Sequence, residues 1–313
     1  MQFDEYVVCD ASGVKNVVYD VPSASLDEQL DAIDLQIRSL TDEEIVFDLI
    51  GVDVSIANAL RRIMMVEVPT MAVETCHIYQ NTGVLQDEVL CHRIGLVPFR
   101  VNPNDYHFRK SSDIFSSENS LAFQLNVMCP QGAPVMNIYS RMLNWVPFSE
   151  DEREACKDPP RLVHDDILIT KLAAGQEIEA TFYLEKGTGK THAKWSPVCT
   201  ASYRLLSILR LKRREDGLLC ELTAEELTEL RELQSDLTFD PVSGEAAIVR
   251  NNAVYHVALE RFPEKLEHLR KKRHFRFTVE STGALPALQI VQSALQLLLS
   301  KLATLKKQFS LSA

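Results

Sequence analysis

The chain has no basic excess, no paired cysteines and no long unbroken apolar run, and each absence removes a class of function. Acidic residues number 44 against 33 basic ones, for a formal net charge of −11. Neutralising phosphate needs a basic face, so this balance argues against a nucleic-acid binder. The seven cysteines, Cys9, Cys76, Cys91, Cys129, Cys156, Cys199 and Cys220, are scattered singly. An odd number without framework spacing fits a reducing compartment rather than a disulfide scaffold. No apolar stretch approaches the roughly 20 residues of a membrane span. Asp4, Glu5 and Asp10 stand where a secretory leader would carry positive charge. The cytosol or nucleus is the expected location.

Catalytic signatures are also missing. Cys-x-x-Cys, His-Glu-x-x-His and aspartate-rich magnesium motifs do not occur. Two Cys-His dipeptides, Cys76–His77 and Cys91–His92, invite a zinc reading. Adjacent side chains on a strand point to opposite faces, so the first dipeptide cannot give both ligands to one tetrahedral ion. The segment EKGTGKTHAKWSPV, from Glu185 to Val198, holds Gly187, Gly189 and Lys190 but lacks the spacing of a phosphate loop. A tight turn that packs His192, Lys194 and Trp195 against a neighbour explains it without a ligand. Asp87 and Glu88 belong in the first turn of a short helix, where the macrodipole favours acids, and need no acid–base role with His92. The basic runs Arg210–Lys212–Arg213–Arg214 and Arg270–Lys271–Lys272–Arg273 read as solvated turns beside acidic neighbours.

What is present is organisation. At 313 residues, 46% hydrophobic and 25% charged, the chain is long enough for two domains. The first forty or so residues are acidic and weakly periodic, with VVYDV at Val17–Val21 as their one convincing strand, and read as a peripheral arm. From Glu44 an apolar-rich strand runs to Gly51. Ser55 sits where a helix N-cap belongs; Ile56, Ala59, Leu60, Ile63 and Met64 follow at helical spacing, and Pro69 ends the helix after Val68. Between about Met71 and Pro197 strands alternate with polar loops, as in LAFQLNVMC, ILITKL and IEATFYLEK, which makes a mostly β insertion. The charged loop Phe148–Pro160 belongs on the surface. After Ser202 helices are expected to return, with a capping box at Thr223 and Glu226, and FRFTVEST from Phe275 reads as a strand.

The strongest periodic signal lies last. After Gly283 and Pro286, Leu288, Val291, Leu295, Leu298, Leu302 and Leu305 recur at alternating spacings of three and four. Ile290, Ala294 and Leu297 widen the seam until one sheet face would leave part of it uncovered. The competing reading is a core role within the chain; a shared interface accounts for the width better.

Four blocks in order, SIANALRRIMMVEVPTMA, QDEVLCHRIGLVPF, HAKWSPV and FTVESTGALPA, resemble the larger alpha-like subunits of eukaryotic nuclear RNA polymerases, relatives of the bacterial alpha N-terminal domain and of the alpha-like subunit of archaeal polymerases. They span about half of the chain. GTGKTHAKWSPVCTASYRLL, Gly187–Leu206, is most similar to the subunit shared by polymerases I and III. The polymerase II homologues carry a clustered four-cysteine zinc loop, and archaeal ones often an iron–sulfur module. Only Cys129 and Cys156 fall in the corresponding region, so no metal and no cofactor is expected.

The resemblance implies an α+β fold in which a discontinuous dimerisation domain, residues 41–69 and 197–313, is interrupted by a mostly β insert at 70–196, behind an acidic arm at 1–40. It implies a heterodimer with the smaller alpha-like subunit through a four-helix interface of about 2,000 Å² or more. The interface residues would be Asn58, Arg61, Arg62, Ile63, Leu288, Val291, Leu295, Leu298, Leu302 and Leu305. Arg61 and Arg62 match the family's paired arginines, and the edge that carries them is expected to hold the second-largest subunit. Asn58, Glu67, Pro69, Asp87, Glu88, His92 and Arg93 match family positions as well, and most of these read as structural. The function implied is a non-catalytic platform in the nucleus, including the nucleolus, for the largest and second-largest subunits, with no direct nucleic-acid or membrane contact. The alternatives are the matching subunit of polymerase II or of an archaeal polymerase, and, in a different class, a stand-alone soluble enzyme.

Overall fold

The computed structural model describes residues 6–10, 13–15, 26–110, 112–155, 159–214, 218–234, 237–241, 243–247 and 252–312. The strand expected at Val17–Val21 lies outside them. In chain order the elements are β1 (Tyr6–Asp10), β2 (Gly13–Lys15), α1 (Leu26–Asp31), β3 (Asp34–Leu40), β4 (Glu44–Ile50), α2 (Val54–Val66), β5 (Pro69–Asn81), α3 (Asp87–Gly95), β6 (Phe99–Arg100), β7 (Ser120–Met128), β8 (Met136–Tyr139), β9 (Asn144–Val146), α4 (Glu150–Ala155), β10 (Arg161–Leu162), β11 (Leu168–Leu172), β12 (Glu177–Thr188), β13 (Val198–Leu211), α5 (Ala224–Leu233), β14 (Glu245–Ala247), α6 (Asn252–Arg261), β15 (Leu266–Ser281) and α7 (Ala287–Ser312). The fold is α+β with a largely β insert, as expected.

A seven-stranded sheet runs in the order β14-β13-β15-β1-β2, with β4 paired to β15 and β3 to β4. Three expectations change here. The segment read as an arm contributes β1, β2 and β3 to this sheet; β3 is exposed along its whole length, so it carries no alternation that a sequence reading detects. The return to helices after Ser202 is delayed, because β13 continues to Leu211. The basic runs lie on or directly after strands rather than in solvated turns: Arg210 Nε donates to Glu267 Oε1 at 2.7 Å, and Arg270–Arg273 sit within β15. A strand tolerates such residues where its outer face meets water or an acid across the ladder.

The first turn of α2 is capped by Asp53, not Ser55. Asp53 Oδ1 accepts the Ser55 N–H at 2.8 Å, and the Ser55 hydroxyl and N–H hold the Asp53 carboxyl below its ordinary range. Ser55 itself is inside the helix. The capping box of α5 forms as read, with Thr223 accepting from the Glu226 N–H and Glu226 accepting from the Thr223 N–H.

By packing, the described residues fall into two units. One comprises those up to Ile37 with Phe47–Ala57 and Tyr203–Phe277; the other comprises Arg38–Val46, Asn58–Ser202 and those from Thr278 onward. This differs from the division expected at 70–196, because α7 and the second half of α2 join the β-rich part. The Lys190 N–H donates to Val66 O at 2.9 Å, and the Thr282 N–H to Pro197 O at 2.9 Å.

Within the first unit, Phe47 and Phe277 stack with ring centroids 4.9 Å apart. Leu209, Leu230, Leu237, Tyr255, Ala258 and Leu266 form a further core beneath α5 and α6. In the second unit a four-stranded sheet has the order β5-β12-β7-β9. Met71, Val73, Phe123, Phe182 and Leu184 line its buried face, and Leu90 and Ile94 of α3 pack onto them.

Candidate partner interface

The geometry of α7 divides the periodic seam in two. At its start the Ala287 N–H donates to Asp42 O at 2.9 Å, and Ala287, Ile290, Val291 and Ala294 are buried in the chain's own core. Beyond Ala294 the helix continues to Ser312, past the expected end near Lys307, and its apolar side chains lose their cover. Leu295, Leu299, Leu302, Leu305 and Phe309 are exposed, Leu299 by 69% and Phe309 by 73%. Of the seam residues read from the sequence, Val291 therefore serves the core, Leu288 and Leu298 are half-buried, and Leu295, Leu302 and Leu305 lie open. Leu299 and Phe309 were missed, although each stands four residues after a seam leucine, Leu295 and Leu305.

The second half of α2 lies in the same unit. Lys301 Nζ of α7 pairs with Glu67 Oε1, just past the end of α2, at 2.5 Å. Arg61 is half-buried; its Nε and Nη2 donate to Asn58 Oδ1 at 3.3 and 3.2 Å, and its Nη1 lies 3.2 Å from Met65 Sδ. Arg62 points to solvent, while Ile63 is buried in the chain's own core. The paired arginines thus have different surroundings: one is held along the helix, the other is presented.

The HAKWSPV block turns out to lock the fold. Trp195 is buried against Gly187, where an added Cβ would stand 2.2 Å from the indole. Its Nε1 donates to Glu185 O at 3.0 Å, and its carbonyl accepts from Thr70 Oγ1 at 2.8 Å. Lys194 Nζ donates to Val73 O at 2.7 Å, pairs with Glu74, and lies 4.4 Å over the Trp195 ring. Gly187 is there for close approach, not for phosphate. Arg93 donates to Ile169 O and Leu168 O at 2.8 and 2.9 Å, and Asp87 Oδ1 accepts from Asn81 Nδ2 at 2.7 Å, so both have structural work.

Among the described residues no three or more His, Cys, Asp or Glu side chains are grouped to hold a metal ion. One helical segment, Ala287–Ser310, is long and apolar enough to cross a membrane by length and composition. It contains no unbroken apolar run of that length, because glutamines, serines and lysines interrupt the leucines, but averaged along the helix the leucines outweigh them.

An amphipathic helix bared on one side marks the chain as part of something larger, and comparison says of what kind. Residues 46–302 match the RNA polymerase Rpb3/Rpb11 dimerisation domain. The chain belongs to that family. The match reaches Leu302, well into the uncovered half of α7. It is 38% identical over 280 residues to the DNA-directed RNA polymerases I and III subunit rpac1 of Dictyostelium discoideum, covering 85% of this chain and 79% of that protein. To the human RPAC1 subunit of polymerases I and III it is 38% identical over 282 residues, covering 82% and 78%. Against the polymerase II subunit rpb3 of Dictyostelium the figure is 32% over 296 residues, covering 88% and 95%. Within one organism, this family member is thus more similar to the I and III subunit than to the II subunit.

Proposed function

We propose that this chain is the larger alpha-like assembly subunit shared by DNA-directed RNA polymerases I and III. It performs no chemistry itself. It pairs with the smaller alpha-like subunit and so makes a platform on which the largest and second-largest subunits, which carry the catalytic centre, come together in the nucleus, including the nucleolus. The observation that carries the proposal is the uncovered stripe Leu295, Leu299, Leu302, Leu305 and Phe309 on α7. A helix at heptad spacing with one apolar side in water is covered at low cost by a second such helix. The higher identity to subunits of polymerases I and III favours that branch over polymerase II. Arg62, exposed on α2, is the contact offered to the second-largest subunit, since a guanidinium suits carboxylates and backbone carbonyls.

The test is co-expression with the smaller alpha-like subunit, followed by purification of the native complex through this chain and identification of its members by mass spectrometry. Recovery of the largest subunits of both polymerases I and III is expected. Recovery of polymerase II subunits alone would move the chain to the other branch, and a stable, monodisperse monomer indifferent to the small subunit would overturn the assembly role.

A further inference from the structure

Among the described residues the two Cys-His dipeptides join no group of three or more His, Cys, Asp or Glu side chains, yet the fold brings their cysteines together. β5 carries a bulge at Glu74: Tyr183 of β12 faces Thr75, while the next residue, Leu184, faces Val73. An extra residue shifts the inside-outside alternation by one. Met71 and Val73 point into the core before the bulge, and Cys76 and Ile78 pack against that core after it. His77 goes to the opposite face, where its ring meets Phe115 and Tyr183. The core face is the one that α3 covers.

Gly95 at the end of α3 abuts this strand, its Cβ position 3.5 Å from Val73 O. One helical turn earlier on the same side stands Cys91. The helix is fixed there by Leu90 and Ile94 in the core and by the Arg93 hydrogen bonds to Ile169 O and Leu168 O. Cys76, on the face of β5 that α3 covers, and Cys91, on the side of α3 that abuts β5, are thus brought together between two held elements, close enough for each to perturb the other's ionisation, and neither is fully buried.

We propose that Cys76 and Cys91 form a reversible dithiol site that a hydroperoxide converts to a disulfide, tying α3 to β5. The Cys91 thiolate attacks one peroxide oxygen; the O–O bond breaks, leaving a sulfenic acid and hydroxide. The Cys76 sulfur then attacks the Cys91 sulfur, the S–O bond breaks, and water leaves with the thiol proton. The two sulfurs supply two electrons and the peroxide accepts them. The roles follow from burial, which pushes the Cys76 thiol up to about 12 and leaves Cys91 the less buried of the two. Burial and the neighbouring Asp87 and Glu88 raise Cys91 too, so the reaction belongs to sustained oxidant rather than to a fast sensor. A dithiol reductant reverses the bond by exchange.

The experiment treats the full chain, recovered with its bound partners, with hydrogen peroxide, blocks remaining thiols with an alkylating agent, and digests without reductant using a Glu-specific protease. Cleavage after Glu74, Glu88 and Glu118 places Cys76 and Cys91 on separate peptides, 75–88 and 89–118. The expected result is a linked pair of these two peptides, lighter by two hydrogens than their sum and separated by dithiothreitol. In Cys76→Ser, Cys91 should instead be trapped as the sulfenic acid by a cyclic 1,3-dione. Recovery of both peptides alkylated and unlinked in the wild-type chain, or linkage of either to the exposed Cys199 instead, would overturn the proposal.

Discussion

Asp48 and Arg276 form a bidentate ion pair in the interior: Arg276 Nε reaches Asp48 Oδ1 at 2.7 Å and Nη2 reaches Oδ2 at 2.9 Å, and Asp48 is 0% exposed. The pair raises the Arg276 pKa above its ordinary value, chiefly through the hydrogen bonds to Asp48. His274 Nε2 lies 3.3 Å from the same carboxylate. Removing one partner strands a charge in the core at a cost of about 3–5 kcal/mol, whereas replacing both by apolar groups is often neutral. Arg276→Met is therefore expected to lower the urea midpoint sharply, and Asp48→Leu with Arg276→Met to recover most of the loss. Equal destabilisation by the single and double variants would mean that the surrounding packing, not the charge, matters at this site.

The contact between Gly187 and Trp195 makes a second prediction. A methyl group at position 187 would overlap the indole, a rigid ring with no flexible end to give way, its Cβ only 2.2 to 2.6 Å from three ring atoms. Gly187→Ala should cost about 1–3 kcal/mol by overpacking and break the Trp195 Nε1 bond to Glu185 O. In a Trp145→Phe background, where Trp195 is the one remaining indole, its emission is expected to move to the red. Unchanged emission and stability would place the indole elsewhere.

His268 predicts the response to acid. Its ring is buried and stacks on Tyr255 with centroids 4.5 Å apart. Burial, aided by Arg270 and His256, brings its pKa down to about 4 from an ordinary 6.5. The unfolded chain therefore binds the proton more readily. The stability contributed by the neutral ring is complete above pH 6.5 and is lost as the pH falls towards 4, by up to about 3 kcal/mol. His268→Phe should flatten the fall in melting temperature across that window. A variant with the same acid slope as the parent would assign the slope to other groups.

The fold was legible in the sequence wherever one element set its own pattern. The strand β4, the helix α2 and the capping box at Thr223 and Glu226 all form from local signals. What escaped depends on partners distant in sequence. The bulge at Glu74 arises from the pairing of β5 with β12, and it alone decides that Cys76 faces α3. The Arg270–Arg273 run looked like a turn because four charges rarely share a strand, but β15 carries it with Arg270 and Arg273 turned to water. At the candidate interface the periodicity of α7 was visible while its division into a buried and an open half was not. Spacing alone treats Val291 and Leu302 alike, and only the point where the core ends separates them.

The two arginines of α2 are expected to differ. Arg62 is exposed and without a neighbour on its own helix to hold it, so Arg62→Ala should leave the subunit folded and paired with its small partner while weakening capture of the second-largest subunit. Arg61 spans one helical turn through Asn58 and Met65, and Arg61→Ala should cost helix stability, about 0.5–1.5 kcal/mol, with a smaller effect on capture. Pull-down yield against melting temperature separates the two. If Arg61→Ala alone abolished capture, the presented and held assignments would be reversed.

Leu302 offers the sharpest test of the assembly role, because its environment in the lone chain and in the proposed heterodimer differ most. It is 55% exposed, so Leu302→Asp should change the stability of the isolated fold little. In a helix-to-helix contact the same carboxylate would be desolvated without a partner, at a cost of several kcal/mol by the usual order for buried charge, and the heterodimer should be lost. Val291→Asp provides the contrast. That side chain is 5% exposed within the chain's own core, so its replacement should disturb the fold before any partner is added. Melting temperature and co-purification with the smaller alpha-like subunit, measured on both variants, separate a surface defect from a folding defect. Normal recovery of the heterodimer with Leu302→Asp would remove this stripe from the interface, whatever the behaviour of Val291→Asp.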